Sequence, residues 1–362
     1  MTRTRVRFLP VTSLCVLSVW KTKVDIYRRY RPTFCMVSLN MSRRITKFLG
    51  TCTYRRFIVI KNHVNVVPEI KTSIQTRRQL ATGNVDPGFF AKMQQARTKL
   101  ADADKQSAIV SHKEKVNGMD IHFETTGDGQ EILLLLPGAL GSTRTDFEKQ
   151  LTGFNKSDYT LVAMDPQGYG RSIPPERTWP LEYLQRDADD ALQLCKTLGL
   201  RKISVLGWSD GGNTGMILAA KEPALVSKLV VWGANAYFTE QDINAFEKIR
   251  DISSWSDRMR EPFVKVYGEE YFQKHWSKWV DACQAYYNDR EGNIFMDDLK
   301  NITAKTLIIH GVKDALVEQE HPDYLHANIK CSELFLMPEG KHNLHIRYSK
   351  EFNSLVEEFL KK

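Results

Sequence analysis

The stretch Gly207-Trp208-Ser209-Asp210-Gly211 decides the fold of this chain. It follows the apolar run Lys202-Ile203-Ser204-Val205-Leu206 and leads directly into a helical pattern over 212–221. A strand, a sharp turn and a helix in this order lift a serine hydroxyl to a position where a base can reach it. Because glycine has no Cβ, the glycines flanking Ser209 let the backbone fold back tightly. Ser209 is the predicted nucleophile.

Two later segments supply a predicted acid and base. The run Lys305-Thr306-Leu307-Ile308-Ile309-His310-Gly311 reads as a buried strand followed by Asp314, and Leu334-Phe335-Leu336-Met337-Pro338 as another strand followed by His342. The chain order serine, aspartate, histidine is the one found in α/β hydrolases. His342 is expected to take the proton of Ser209, and Asp314 to hold the imidazole in the required tautomer.

Each of these two residues has an alternative interpretation. Asp314 also fits an ordinary turn residue after a strand. His342 competes with four other histidines, which are His310, His321, His326 and His345. His345 lies in a helical pattern and His310 within a strand, so both are expected to be packed or solvated side chains. His342 follows a Pro-Glu-Gly loop that can project the ring over the edge of the sheet.

An oxyanion hole is predicted from main-chain groups. Glu131-Ile132-Leu133-Leu134-Leu135-Leu136 reads as a strand buried on both faces, and it stops at the loop Pro137-Gly138-Ala139-Leu140-Gly141-Ser142. The N–H of Ala139, with Leu140 as the alternative, is expected to act together with the N–H of Asp210. Each donor of this kind contributes roughly 3 to 4 kcal/mol to lowering the barrier. A plain turn from strand to helix is the competing interpretation.

The order of elements predicts the fold class. Asn117-Gly118 is a strong hairpin signal that opens the sheet with antiparallel strands. Strands alternating with helices then predict an α/β-hydrolase fold, with a mostly parallel eight-stranded sheet and helices on both faces. We expect a basic leader over 1–108, a hydrolase domain over 109–362 and a helical cap at about 236–303. The cap carries apolar residues at helical spacing, expected to form mainly its own core and in part a pocket over Ser209: Trp255, Met259, Phe263, Trp276 and Trp279.

Charge separates the leader from the body. Residues 1–80 hold 17 lysines and arginines against Asp25 and Glu69, which leaves 34 basic against 41 acidic residues in 81–362. Because the body is mildly acidic and has no basic stripe with interleaved aromatics, nucleic-acid binding is not predicted. Neither a metal site nor a cofactor is predicted, since the cysteines and histidines lack ligand spacing. We expect a monomer that acts on a small-molecule ester.

The leader has the composition of a targeting segment. Its apolar stretch over 8–20 follows three arginines, so a secretory signal is an alternative, although the stretch has no clear cleavage site. The stretch is too short to span a bilayer, so a stable membrane span is not expected. From Met41 onward it is rich in arginine, serine and threonine and nearly free of acidic residues, which is typical of a mitochondrial presequence. A mitochondrial location is predicted. The alternatives are a basic extension without an address and a cytoplasmic location.

Five motifs together resemble one known family. They are Leu135-Leu136-Pro137-Gly138-Ala139-Leu140-Gly141-Ser142, Asp165-Pro166-Gln167-Gly168-Tyr169-Gly170, Gly207-Trp208-Ser209-Asp210-Gly211-Gly212, Trp232-Gly233-Ala234-Asn235-Ala236-Tyr237 and Met337-Pro338-Glu339-Gly340-Lys341-His342-Asn343-Leu344-His345. Over about 110–360 the chain resembles the valacyclovir-hydrolase family, also called biphenyl-hydrolase-like proteins. The resemblance implies a serine esterase acting on esters of α-amino acids, including nucleoside prodrugs, usually in mitochondria. One departure is Gln167, where the fold usually carries arginine, and it puts a structural ion pair in doubt.

Asp210 suggests why such substrates would be preferred. Its carboxylate follows the nucleophile, where it could meet an ammonium group on the carbon next to the ester carbonyl. A charged hydrogen bond of this kind contributes about 1.5 to 3 kcal/mol. The competing interpretation is that Asp210 only caps the following helix. Two other functions remain open: hydrolysis of carbon–carbon bonds in dienoic diketones by the same triad, and a non-catalytic ligand-binding protein that keeps the fold.

Overall fold

The computed structural model describes residues 85–86, 88–89, 91–93 and 108–362. Eight strands form one sheet in the order β1-β2-β4-β3-β5-β6-β7-β8. The strands are β1 (Val110–Val116), β2 (Met119–Thr126), β3 (Glu131–Leu136), β4 (Tyr159–Met164), β5 (Ile203–Trp208), β6 (Val226–Trp232), β7 (Lys305–Gly311) and β8 (Ser332–Met337). β1 pairs with β2 and β2 with β4 in antiparallel fashion, and all other neighbours are parallel.

Helices cover both faces of this sheet. They are α1 (Thr143–Gly153), α2 (Tyr183–Thr197), α3 (Asp210–Lys221), α4 (Glu240–Lys248), α5 (Asp257–Tyr267), α6 (Glu269–Arg290), α7 (Glu320–Asn328), α8 (Leu344–Arg347) and α9 (Ser349–Leu360). Two separate apolar cores result, one of which contains Val205 and Val231 while the other contains Leu206 and Trp232. Alternate residues of a strand point to opposite faces, so each strand feeds both cores.

The predicted α/β-hydrolase fold is confirmed. The hairpin turns at Asn117-Gly118, where Asn117 has a φ of 48° and Gly118 a φ of 85°. Both positive values suit the Asn-Gly pair of a two-residue hairpin turn. β3 and β4 are buried along almost their whole length. This burial explains their nearly continuous apolar sequences, since the central strands of a parallel sheet have helices on both sides.

The segment between β6 and β7 is mainly helical. It contains α4, α5 and α6 and two short 3-10 helices, Ile252–Ser254 and Met296–Asn301. Trp255, Phe272 and Trp276 pack edge to face or tilted against one another, with ring centroids 4.7 to 5.9 Å apart. Aromatic pairs favour such arrangements. These rings therefore form the core of the helical segment, hereafter the cap.

A short piece of the predicted leader packs on the body. Val85, Phe89 and Met93 are buried in the larger core, and Asp86 N donates to the carbonyl of Gly199 at 2.8 Å. These contacts place Val85, Asp86, Phe89 and Met93 with the hydrolase body, although the sequence prediction assigned them to the leader. The rest of the leader, including the predicted mitochondrial presequence, lies outside the described residues. Within the described ranges, no helix has both the length and the apolar character that crossing a bilayer requires.

Candidate active site

Ser209 sits at the apex of a tight turn between β5 and α3. Its φ of 54° is in the left-handed region, which a residue with a Cβ rarely adopts. The Ser209 N–H donates to the Trp232 carbonyl of the neighbouring strand at 2.9 Å. A Cβ added to Gly207 would lie 2.3 Å from the Gly211 carbonyl oxygen. Glycine is thus required on both sides, and the turn presents Ser209 at the carboxyl edge of the sheet.

Asp314 and His342 are brought together by the loops after β7 and β8. His342 Nδ1 and Asp314 Oδ2 are 2.9 Å apart, and the Asp314 side chain is only 1% exposed. Burial alone would lower the pKa of His342, but the Asp314 carboxylate raises it above its ordinary value. Burial likewise opposes ionisation of Asp314, yet the His342 charge and hydrogen bond hold its pKa below normal. Asp314 fixes Nδ1 as the donor, which leaves Nε2 to accept a proton.

His342 is also tied to the nucleophile turn. Trp208 Nε1 donates to the His342 carbonyl at 2.9 Å, and the two rings have centroids 5.4 Å apart. A Cβ added to Gly233 would come within 3.0 Å of the His342 ring. Among the described residues, the Ser209 hydroxyl makes no hydrogen bond, so the structure does not join it to His342 directly. Catalytic hydrogen bonds often tighten only once substrate is bound.

The competing histidines have other roles in the structure. His345 Nδ1 accepts from Trp232 Nε1 at 2.9 Å, and Nε2 donates to the Asp146 carbonyl at 3.1 Å. Burial lowers the pKa of His345 to about 3, so it stays neutral. His310 lies within β7, where burial also lowers its pKa. Both are structural, as their sequence positions suggested.

The loop after β3 is held by a buried carboxylate. Gly138 N donates to Asp146 Oδ2 at 2.9 Å, and the Thr145 hydroxyl donates to Oδ1 at 2.7 Å. A Cβ added to Gly141 would overlap the same carboxylate at 1.9 Å. Burial raises the pKa of Asp146 to about 7. Asp146 was not a sequence-predicted site residue, because nothing in α1 marks which of its polar side chains turns back toward the loop.

The predicted oxyanion donors are the N–H of Ala139 within this loop and the N–H of Asp210 at the start of α3. In the part of the chain that the structure describes, the N–H groups of Ala139 and Asp210 have no protein acceptor. Asp210 is the first residue of α3, where main-chain N–H groups and the helix dipole favour negative charge. A Cβ added to Gly138 would lie 3.4 Å from Ser209 Cβ, so the loop packs directly against the nucleophile. The arrangement can hold an oxyanion formed at a carbonyl under attack by Ser209.

The side chain of Asp210 is fixed by two donors from different parts of the chain. Tyr183 of α2 donates its hydroxyl to Asp210 Oδ2 at 3.0 Å, and Trp279 of the cap donates Nε1 to the same atom at 2.9 Å. Burial raises the pKa of Asp210 to about 6, although both hydrogen bonds oppose the increase. Neither donor was singled out as a ligand of Asp210 from sequence. The available signal was that a buried indole or phenol needs a hydrogen-bond partner.

Gln167 cannot form the ion pair that an arginine would form at its position, but Arg177 forms an ion pair with Asp187 next to the same loop. Arg177 donates to both Asp187 oxygens, at 2.9 and 2.6 Å, and to the Gln167 carbonyl at 2.9 Å. Its guanidinium lies 4.3 Å from the centroid of the Tyr169 ring, within cation–π distance. Arg177 thus holds the loop in place through its hydrogen bond to the Gln167 carbonyl.

Comparison with known proteins agrees with this geometry. Residues 131–266 match the family model described as the alpha/beta hydrolase fold. The human protein named serine hydrolase BPHL is 49% identical over 254 residues, which are 70% of this chain and 87% of the human protein. The chain belongs to this α/β-hydrolase family. The mouse protein of the same name has the same identity and coverage.

The family assignment gives the coarse function. This chain is a serine hydrolase with the α/β-hydrolase fold, as its similarity to serine hydrolase BPHL shows. An α/β hydrolase from a Medee basin deep-sea metagenome library superimposes with a TM-score of 0.59. It covers 69% of this chain and 98% of its own at 19% identity, and it supports the fold alone.

Proposed function

We propose that this serine hydrolase cleaves esters of α-amino acids. Ser209, with His342 as base, attacks the ester carbonyl, and the N–H groups of Ala139 and Asp210 stabilise the resulting oxyanion. The alcohol leaves with a proton from His342, and water then hydrolyses the acyl enzyme. Asp314 stabilises the imidazolium formed in each step. The 2.9 Å contact between His342 and Asp314 supports these roles.

The observation that carries the substrate class is the environment of Asp210. Its Oδ2 is saturated by Tyr183 and Trp279, whereas no described residue donates a hydrogen bond to Oδ1. A side chain that caps a helix accepts a hydrogen bond from a main-chain N–H of that helix. The Asp210 carboxylate instead accepts from Tyr183 of α2 and from Trp279 of the cap. Asp210 is therefore held in place with one oxygen free for a ligand.

The chemistry of that oxygen favours a cation. A buried carboxylate is stabilised by a positively charged partner, and an ammonium next to the ester carbonyl supplies one. The charged hydrogen bond between them contributes about 1.5 to 3 kcal/mol. A cavity of about 10 Å³, large enough for one water-sized group, lies beside Asp210 and is also lined by Tyr169 and Asp187. A free α-amino group is the substrate feature that the site would recognise.

Matched ester pairs test this proposal. Phenylalanine benzyl ester and 3-phenylpropionate benzyl ester differ only in the amino group. In Asp210→Asn, we expect kcat/KM for the amino ester to fall at least about tenfold, or about 1.4 kcal/mol, while the deamino ester changes little. Asn keeps an acceptor for Tyr183 and Trp279, so folding is preserved. Equal losses on both esters would remove the recognition role.

The alternatives give distinct results in the same assays. A carbon–carbon bond hydrolase would turn over dienoic diketones without an ammonium and be indifferent to the charge of Asp210. A non-catalytic ligand-binding protein would release alcohol from amino-acid esters no faster than Ser209→Ala. We expect a burst of alcohol in the wild type and none in Ser209→Ala.

The predicted location and assembly are part of the proposal. We infer a mitochondrial location from the basic, acid-poor composition of residues 1–80, and a monomer stays a prediction. Amino-terminal sequencing of the protein purified from a mitochondrial fraction tests the location. A mature amino terminus between about Arg77 and Val85 is the expected result, since Val85, Phe89 and Met93 are buried against the body.

A further inference from the structure

A second serine lies in a hydrogen-bonded relay far along the chain from Ser209. The Ser111 hydroxyl is 2.7 Å from His122 Nε2, and His122 Nδ1 is 2.8 Å from Asp165 Oδ2. Ser111 lies on β1 and is exposed, whereas His122 on β2 and Asp165 after β4 are almost completely buried. The histidine thus bridges the serine and the aspartate by hydrogen bonds, as it does in the catalytic triad of serine hydrolases.

The donors and acceptors of this relay are determined by Asp165. Its Oδ1 accepts a hydrogen bond from the main-chain N–H of Thr143 at 2.7 Å, and its Oδ2 accepts one from the main-chain N–H of Arg171 at 2.8 Å. A carboxylate with these donors accepts rather than donates, so His122 Nδ1 carries the proton. The neutral imidazole then offers Nε2 only as an acceptor. Ser111 must donate its hydroxyl proton to His122, which is the arrangement of an activated nucleophile.

A cation is fixed next to the same hydroxyl. Arg171 Nη1 lies 3.3 Å from Ser111 Oγ and 3.6 Å from Glu124 Oε1. Glu124 is the cross-strand partner of Ser111 and is buried, so its carboxylate holds the guanidinium in position. An arginine in this position can stabilise negative charge that develops on a group attacked by Ser111.

We propose that Ser111 is a second reactive serine, which accepts acyl groups from activated carboxylic esters. Ser111 Oγ forms a bond to the acyl carbon, and the bond from that carbon to the leaving oxygen breaks. The hydroxyl proton passes to His122 Nε2 and then to the departing phenol. The product is an O-acyl serine on β1, and no oxidant, reductant or cofactor takes part.

The surroundings of Ser111 limit it to activated donors. Ser111 lies within a regular strand and has no helix N-terminus after it, in contrast to Ser209. Arg171, whose side chain is 61% exposed, is its nearest substitute for an oxyanion hole. Since each oxyanion donor contributes roughly 3 to 4 kcal/mol, Ser111 is expected to react with aryl esters and not with alkyl esters.

The chain contains a matched control serine. Ser332 Oγ lies 2.9 Å from His326 Nδ1, but its hydroxyl also donates to the Ile329 carbonyl at 2.7 Å. No carboxylate of the described residues binds His326, so nothing fixes its tautomer. Ser332 has a histidine neighbour without the relay, and it should not be acylated.

Labelling of Ser209→Ala with p-nitrophenyl acetate tests the proposal. After removal of the first reactive serine, peptide mass spectrometry should locate the acetyl group on Ser111 and not on Ser332. Phenol release should fall to background in the double variant Ser209→Ala/Ser111→Ala. A general base contributes about 10²- to 10⁴-fold, so His122→Gln in the Ser209→Ala background should slow acetylation of Ser111 at least about tenfold.

The outcomes separate this site from the main one. Ser111→Ala alone should leave ester hydrolysis by Ser209 unchanged, because the exposed hydroxyl is not part of that site. Acetylation of Ser111 no faster than that of Ser332 in Ser209→Ala would overturn the proposal. So would an unchanged rate in His122→Gln, provided that its circular dichroism and melting temperature show a folded protein.

Discussion

The indole N–H of Trp279 donates a 2.9 Å hydrogen bond to Asp210 Oδ2, and so joins the cap to the residue that follows the nucleophile. Trp279 is 4% exposed and Asp210 is 7% exposed, so the bond lies away from bulk solvent. Because the bond crosses from the cap to the sheet domain, cap position and carboxylate position depend on each other. Recognition of the substrate and closure of the cap are expected to be linked at this contact.

Replacing Trp279 by phenylalanine should weaken recognition of amino-acid esters specifically. Trp279→Phe keeps an aromatic ring but removes the donor, which leaves Tyr183 alone on Asp210 Oδ2. The pKa of Asp210 should then rise, since the Trp279 hydrogen bond lowers it. We expect kcat/KM for phenylalanine benzyl ester to fall about tenfold and that for the deamino ester to stay within about twofold.

The matched control is Trp276→Phe. Trp276 lies one turn earlier in α6 and donates its indole N–H to the Ile249 carbonyl at 2.8 Å. Trp276→Phe therefore removes the same side-chain volume as Trp279→Phe but leaves both hydrogen-bond donors to Asp210 in place. If both variants lost the same activity on the amino ester, the Trp279 hydrogen bond would have no role beyond cap packing.

The charge of Asp210 should cost stability above its pKa. Burial raises that pKa from 3.8 to about 6, so the folded state resists ionisation more than the unfolded state does. Asp210→Asn should therefore raise the free energy of unfolding at pH 7.5 by on the order of 2 kcal/mol. The gain should shrink as the pH falls below 6 and vanish below 3.8, where the wild-type carboxyl is protonated in both states.

Urea unfolding of Asp210→Asn at several pH values measures this effect. Asp297→Asn, which changes an exposed aspartate of the cap, is the control and should show no comparable gain. A stability gain of Asp210→Asn that did not depend on pH would contradict an electrostatic origin.

Asp146 should affect turnover through the oxyanion loop. Asp146→Ala leaves the Gly138 N–H without its acceptor, and we expect kcat to fall by about 10²-fold with little change in KM, as for loss of an oxyanion donor. Asp146→Asn retains an acceptor and should lose less than about tenfold. The Asp146 charge also raises the pKa of His342, so the acid limb of the pH profile should move to lower pH in Asp146→Asn.

Stopped-flow kinetics with an aryl ester distinguishes these effects. Equal kcat in the alanine and asparagine variants would show that the acceptor for Gly138 is not what matters. A pH profile that is unchanged in Asp146→Asn would remove the electrostatic link to His342.

The pH dependence of esterase activity should reflect His342. His342 acts as a base only when neutral, and Asp314 raises its pKa above the ordinary 6.5. Activity on the deamino ester should therefore be lost as the pH falls through a value above 6.5. In Asp314→Asn, kcat should drop about 10⁴-fold and the residual activity should persist to lower pH. An acid limb at the same pH in both proteins would exclude His342 as the titrating group.

Local patterns in the sequence predicted most of the fold. The predicted strands Glu131–Leu136 and Lys305–Gly311 have the same bounds as β3 and β7. The turn residues Asn117-Gly118 and the glycines around Ser209 determine the backbone conformation of their immediate neighbours. Their effect can therefore be predicted from the sequence without knowledge of any tertiary contact. The boundary of the body was harder to predict, because the burial of Val85, Phe89 and Met93 depends on distant strands and helices.

The sequence by itself determined the order of strands and helices, the sharp turn at Ser209 and the chain order of the three triad residues, because periodicity and turn chemistry are local. Only the tertiary structure decided which polar groups meet: Trp279 with Asp210 across 69 residues, and Ser111 with His122 and Asp165 across three strands. A hydrogen bond depends on distances of a few ångströms between side chains far apart in sequence. No local pattern specifies such a distance, since it results from the packing of the cap and the sheet as a whole.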